Sequence, residues 1–201
     1  MVEKSIKRIC VNCGSSPGAK PEYLLAARAL GQLFVKNKIE LVYGGADVGL
    51  MGELADTVLG GGGAVIGIIP ASFAEKVAHQ GLTELHIVDS MHERKQKMFD
   101  LSDGFIALPG GMGTLDEFFE LLTWTQLGLH QKPCGILNVC GYYDHLLEFL
   151  DYATAQMFIR QEHRDIVLVE SSPEKLLDQI SHYKAPIVEK WVGLKRNGNL
   201  L

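Results

Sequence analysis

Arg94 and Glu117 are the two side chains of this 201-residue sequence whose settings suggest chemistry. Glu117 closes the segment Pro109-Gly-Gly-Met-Gly-Thr-Leu-Asp-Glu117, which follows the apolar run Phe105-Ile-Ala-Leu108 and leads into a helical pattern. Thr114 and Glu117 have the spacing of a capping box, in which the threonine caps a helix and the glutamate reaches back to its amide. The box leaves Pro-Gly-Gly-x-Gly unexplained. Such a run aims backbone amides at a helix entrance, where an anion such as phosphate is held. Arg94 shares a stripe with Met91, Met98 and Leu101 at 3-4-3 spacing, so a guanidinium interrupts an apolar helix face. Turned inward, it needs an anionic partner, either a ligand phosphate or Glu117; the alternative is an arginine that snorkels to solvent. Ser90 and Glu93 form a second capping box, which gives Glu93 a structural role.

The elements that must position these groups read as strands alternating with helices, the pattern of βαβ units around a parallel sheet. The spacing predicts strands over 7–12, 40–43, 64–69, 85–88, 104–108, 135–138 and 166–169. It predicts helices over 21–37, 50–59, 91–101, 115–127, 143–157 and 173–181, with a short one at 72–77. The fold class is a Rossmann-like, doubly wound α/β domain over 1–181, followed by a C-terminal tail over 182–201 whose last residues look frayed. Gly60 to Gly63 read as a tight helix stop. In such a fold, ligands bind outside the carboxyl ends of the strands. Three glycine-rich loops fall there: 12–18, 44–52 and 109–114. Together they describe a cleft lined by amides and suited to a phosphate; glycines that only make tight turns are the plainer reading. Gly14 and Ser15 of the first loop, and Gly44 and Gly45 of the second, join the candidate ligand-binding set.

Several chemistries are excluded or weakened. There is no G-x-x-x-x-G-K-[ST] for a P-loop, and Asp47 stands where the first glycine of a dinucleotide fingerprint belongs. Gly14-Ser-Ser-Pro-Gly18 matches G-x-S-x-G, but Pro17 has no N–H to give to an oxyanion hole, which counts against Ser16 as a nucleophile. Cys10 and Cys13 sit on a strand, where residues three apart face opposite sides, so their C-x-x-C is no half of a zinc site. No metal ligand set is found among the seven histidines, and no cofactor is expected. The balance of 19 Lys+Arg against 24 Asp+Glu, net −5, argues against a nucleic-acid or anionic-membrane partner. No apolar run approaches the roughly 20 residues that span a bilayer. With four cysteines and no signal-like start, a cytoplasmic protein is the expectation.

Taken together, Pro109-Gly-Gly-Met-Gly-Thr-Leu-Asp-Glu117, Met91-His-Glu-Arg-Lys95 and Tyr43-Gly-Gly-Ala-Asp-Val-Gly-Leu-Met-Gly52 closely resemble the LONELY GUY (LOG) family of cytokinin riboside 5′-monophosphate phosphoribohydrolases. The resemblance runs from about Cys10 to about Ile180 and includes Thr123-Trp-Thr-Gln-Leu-Gly128. It implies hydrolysis of the N-glycosidic bond of a purine nucleoside 5′-monophosphate, with Arg94 and Glu117 as the catalytic pair. It also implies nucleotide binding by Lys95, Gly110, Gly111, Met112, Gly113, Thr114 and Thr123, and a homodimer. Met91, Met98 and Trp124 are candidates either for an apolar pocket around the base or for core. Ala46 replaces a third glycine of many relatives. Where the family often places a substrate-contacting glutamate, an ungapped register gives Lys76, and a one-residue gap gives Glu75. A lysine-decarboxylase label, at times attached to the family, would require a pyridoxal-phosphate lysine that no feature identifies. The alternative to an enzyme is a carrier that binds a nucleotide or a phosphate-bearing cofactor in the same cleft without cleaving it.

Overall fold

The computed structural model describes residues 6–186. All seven predicted strands form, with ends within one residue of expectation: β1 Arg8–Asn12, β2 Glu40–Tyr43, β3 Val65–Pro70, β4 Glu84–Val88, β5 Gly104–Ala107, β6 Cys134–Leu137 and β7 Val167–Glu170. They make one sheet of order β4-β3-β2-β1-β5-β6-β7, and every pairing is parallel. The order reverses direction between β1 and β5, where Asn12 lies beside Ala107. Loops leaving the two strands there diverge to opposite sides and open a crevice, so the topology dictates where a ligand can enter.

Helices cover both faces. α1 (Pro21–Asn37), α2 (Gly49–Gly60) and, past the far edge, α8 (Pro173–Ser181) bury Leu30, Phe34, Leu54, Val58 and Ile180 against Ile9, Val11, Leu41 and Ile106. On the opposite face, α4 (Met91–Leu101), α5 (Met112–Gln126) and α6 (Asp144–Ala155) pack Met98, Phe118, Leu121 and Leu146 against Cys10, Val42, Phe105 and Ile136. Cys10 and Cys13 therefore belong to different layers, as the period of a strand requires. All four cysteines are free, and burial pushes the Cys10, Cys13 and Cys134 thiols above their ordinary values, so these three are packing residues.

α1, α4 and α8 occupy the predicted residues, and the glycine run ends α2 as expected, with the Gly63 amide returning to the Val58 carbonyl at 2.8 Å. Two expectations are corrected. α5 begins at Met112 and not at 115, because its N-cap is the extended Gly111. α6 is shorter than 143–157, and a single-turn helix α7 (Gln161–Arg164) follows it, too brief to show periodicity. The short helix between β3 and β4, α3 (Ala71–Val77), buries no residue. Of the predicted tail, 182–186 carries no helix or strand, and the frayed end at 195–201 lies outside the described residues.

Gly49 fixes the first two loops against each other. Its φ is +57°, and a Cβ there would overlap the backbone of Ser15 and Ser16, while the Leu50 amide donates to the Gly14 carbonyl at 3.0 Å. Gly49→Ala combines left-handed strain with a backbone overlap, and its expected cost is about 3 kcal/mol. At this chain length, that lowers the thermal midpoint by about 10 °C, measured by circular dichroism.

Candidate active site

β5 and α5 deliver one side of the crevice. Gly111 caps α5 with extended backbone and no side-chain hydrogen bond, so the first-turn amides of Met112, Gly113 and Thr114 have no side-chain cap among the described residues. This overturns the capping-box reading of Thr114 and Glu117: Thr114 lies inside the first turn, and the Glu117 carboxylate turns to Arg94. The other box stands. The Glu93 amide donates to Ser90 Oγ at 3.1 Å, and the Glu93 carboxylate accepts from the Asp89 amide at 2.9 Å, one residue before the cap.

β4 delivers α4, and α4 turns Arg94 inward. The guanidinium is buried: Nε donates to the Ile68 carbonyl at 3.0 Å and Nη1 to Glu117 Oε1. Gly44 makes this possible, since a Cβ there would overlap Arg94 Nη2. The side chains of Arg94 and Glu117 are 10% and 12% exposed, so neither charge is much screened by water and each is the other's principal counterion. The choice between a snorkelling and an inward arginine is thus resolved inward.

The pair lies in the wall of a cleft of about 640 Å³. Gly14, Ser15, Gly44, Met91, Gly111, Met112, Gly113 and Thr114 line it with Arg94 and Glu117. Four other candidates lie outside the lining. Gly110 is packed between Thr114 and the Gly14 amide, and its carbonyl accepts from the Tyr142 hydroxyl at 2.7 Å. Gly45, with φ +75°, gives its carbonyl to the His79 amide. Thr123 donates to the Phe119 carbonyl on its own helix. Lys95 pairs with Asp116 at 3.3 Å and Glu120 at 3.1 Å, which ties α4 to α5 beside the Arg94–Glu117 contact. Burial alone would lower the Lys95 pKa, but the hydrogen bonds to Glu120 and Asp116, together with their charges, outweigh it and hold the pKa above its ordinary value. Met98 is core, and Trp124 lies against Phe99 behind the cleft.

The loops 12–18 and 44–52 read from the sequence also bring Asn12, Cys13, Val48 and Met51 into the lining, whereas Ile69, Phe73 and Val77 from β3 and α3 were not foreseen. Apolar residues at a strand end read the same whether they face core or ligand. Glu75 and Lys76 are both exposed on α3, and neither lines the cleft. The lining includes no lysine to which pyridoxal phosphate could bond, so the residues present do not fit that cofactor. Among the described residues, no helix is long and apolar enough to cross a membrane.

A parallel sheet with a cleft at its switch point, uncapped helix amides on one wall and a buried arginine–carboxylate pair beside them define a Rossmann-like protein built to hold and act on an anionic ligand. A family model described as "Possible lysine decarboxylase" matches residues 51–180. The cytokinin riboside 5′-monophosphate phosphoribohydrolase of Rhodococcoides fascians is 50% identical over 165 residues, which is 81% of this chain and 83% of that protein. A phosphoribohydrolase of the same name from Arabidopsis thaliana is 46% identical over 183 residues, 90% of this chain and 86% of the relative. The chain belongs to this family. Among solved structures, the molybdenum cofactor binding protein of Rippkaea orientalis superposes with a TM-score of 0.67 at 27% identity, covering 88% of this chain and 96% of its own. The molybdenum cofactor carrier protein of Chlamydomonas reinhardtii, at 0.65 and 18% identity over 88% and 98%, shares the fold.

Proposed function

We propose that the protein hydrolyses the N-glycosidic bond of adenosine 5′-monophosphates, N6-substituted or plain, and releases free base and ribose 5-phosphate. The observation that carries this reading is the buried Arg94–Glu117 pair facing the same cleft as the uncapped first turn of α5. The relatives from Rhodococcoides fascians and Arabidopsis thaliana bear the corresponding name. A carrier has no need of a carboxylate in the ligand wall, and Glu117 is in that wall.

The 5′-phosphate is taken by the amides of α5's first turn with the Thr114 hydroxyl, so that binding remote from the scissile bond positions the sugar. Glu117 then faces C1′. As the bond from C1′ to the base breaks, its electron pair leaves with the base, and the sugar acquires oxocarbenium character that a carboxylate stabilises. Glu117 takes a proton from the attacking water, whose oxygen bonds to C1′; the departing base takes a proton from solvent, and Glu117 returns its own to solvent, so the net change is one water consumed. Arg94 orients the carboxylate and balances its charge. Met91, Ile69, Phe73 and Val77 offer the base an apolar wall. No step requires a metal or an organic cofactor.

We also propose a cytoplasmic homodimer. Free cysteines suit a reducing compartment, and Leu129, Phe149, Tyr152 and Phe158 leave apolar surface exposed.

The test is to incubate the protein with AMP, isopentenyladenosine 5′-monophosphate and the two unphosphorylated ribosides, and to quantify base and ribose 5-phosphate by chromatography. Release from the monophosphates alone is expected, and its ratio gives the base preference. No release from either, with nucleotide still bound, would return the carrier reading.

A further inference from the structure

The segment between β3 and β4 contributes Phe73 and Val77 to the cleft wall, yet hydrophobic burial does not hold it there. Across 71–87 the only buried residue is His79, and Leu82 is half-buried against the core. The backbone supplies two ties to the β2–α2 loop: the Asp47 amide to the Val77 carbonyl at 2.8 Å, and the His79 amide to the Gly45 carbonyl at 2.9 Å. A side-chain tie of that stretch to α2 is made by the His79 ring.

The hydrogen bonding of that ring is constrained. Nδ1 lies 2.7 Å from the Gln80 carbonyl oxygen, which can only accept. Nε2 faces Asp56 Oδ1 at 3.1 Å and Asp47 Oδ1 at 4.0 Å. Each ring nitrogen thus faces an acceptor oxygen, so the ring donates through Nδ1 within its own segment or through Nε2 to Asp56 on the firmly packed α2. Those two carboxylates are the charged groups that face the ring; Glu75 and Lys76 point to solvent from α3. The same three side chains could be imagined around a divalent metal. Ligands of tetrahedral zinc, at bonds of about 2.0–2.1 Å, stand about 3.3 Å apart. The gap to Asp47 is wider, and the Asp56 distance is that of a hydrogen bond.

We propose that His79, through Asp56, is the latch that holds the α3 segment across the mouth of the cleft, a positioning residue for nucleotide binding that touches no reacting atom. This rests on the proposed reading of the cleft as a nucleotide site. The test compares the unaltered protein with His79→Ala, His79→Gln and Asp56→Ala, by AMP kinetics and by hydrogen–deuterium exchange of the ligand-free proteins. Asp56 is an exposed side chain, so its variant folds even if His79→Ala does not. For His79→Ala and Asp56→Ala, we expect KM for AMP to rise about tenfold with kcat within twofold. Amide exchange should quicken in 71–83 and stay unchanged in β1 and β5, and His79→Gln, which keeps a donor toward Asp56, should recover most of both effects.

Unchanged KM and exchange would overturn the latch. So would faster exchange throughout the sheet with kcat falling, which would make His79 an ordinary core residue. Stoichiometric zinc found by elemental analysis in the parent and lost in His79→Ala would replace the latch by a metal site. Absence of AMP turnover in the unaltered protein would instead sink the functional reading, and the exchange data alone would then judge the latch.

Discussion

Glu117→Gln lowers kcat for AMP hydrolysis by about 10²–10⁴-fold, the range that a positioned acid–base group supplies. The amide is nearly the same size and still accepts a hydrogen bond from Arg94, so the packing between α4 and α5 persists. What disappears is the negative charge that takes the water's proton and faces the developing oxocarbenium. KM should stay within a few-fold, because the phosphate grip at the start of α5 is untouched. Gln is the informative replacement. Glu117→Ala would leave the Arg94 charge buried without its partner and confuse stability with chemistry. Stopped-time chromatography of base release gives kcat, and calorimetric titration gives nucleotide affinity. Turnover within threefold of the parent would reduce Glu117 to a structural partner of Arg94.

Arg94→Ala is expected to lose both turnover and stability. It removes the bond to the Ile68 carbonyl and leaves Glu117 as a buried carboxylate without a counterion. Breaking such a pair from one side costs about 3–5 kcal/mol, which for a chain of this length lowers the thermal midpoint by about 10 °C or more. Turnover should fall at least 100-fold even at temperatures where the variant is folded. Arg94→Lys should not rescue it, because one ammonium cannot reach Ile68 and Glu117 with the fork that a guanidinium provides. Gly44→Ala reaches the same contact from the other side. Its methyl group overlaps the guanidinium, so it should depress kcat although both members of the pair remain. A stable, active Arg94→Ala would mean that the side chain reaches solvent and that its inward course does not matter.

Much of this arrangement was legible in the residues. The alternation of β-branched runs with helical stripes led to all seven strands and to α1, α4 and α8. The arginine in the 91-94-98-101 stripe offered a buried charge beside the alternative of a snorkelling one. Its partner could not be chosen from spacing, because a separation of 23 positions between Arg94 and Glu117 says nothing about how α4 and α5 meet; the sheet topology decides that. Thr114 was read as a cap because sequence shows the box but not where the helix starts, and Gly111 starts it earlier. The wall formed by Ile69, Phe73 and Val77 stayed hidden for a different reason. Its residues are apolar, and facing a ligand leaves the same trace as facing a core. Lys95 illustrates a third limit: adjacency to a functional arginine does not put a side chain in the cleft, because successive helix positions diverge by about 100°.

The chain leaves the first turn of α5 open, and under the proposed function the group that completes it arrives and departs with the ligand. Nucleotide and ribose 5-phosphate both carry that group, whereas the free base does not. Cleavage therefore loosens one half of the substrate and leaves the hold on the other unchanged. Departure is ordered, base first, and the sugar phosphate competes with the next nucleotide for the same amides. Orthophosphate in a reaction buffer would compete in the same way, so rates measured in it understate the enzyme.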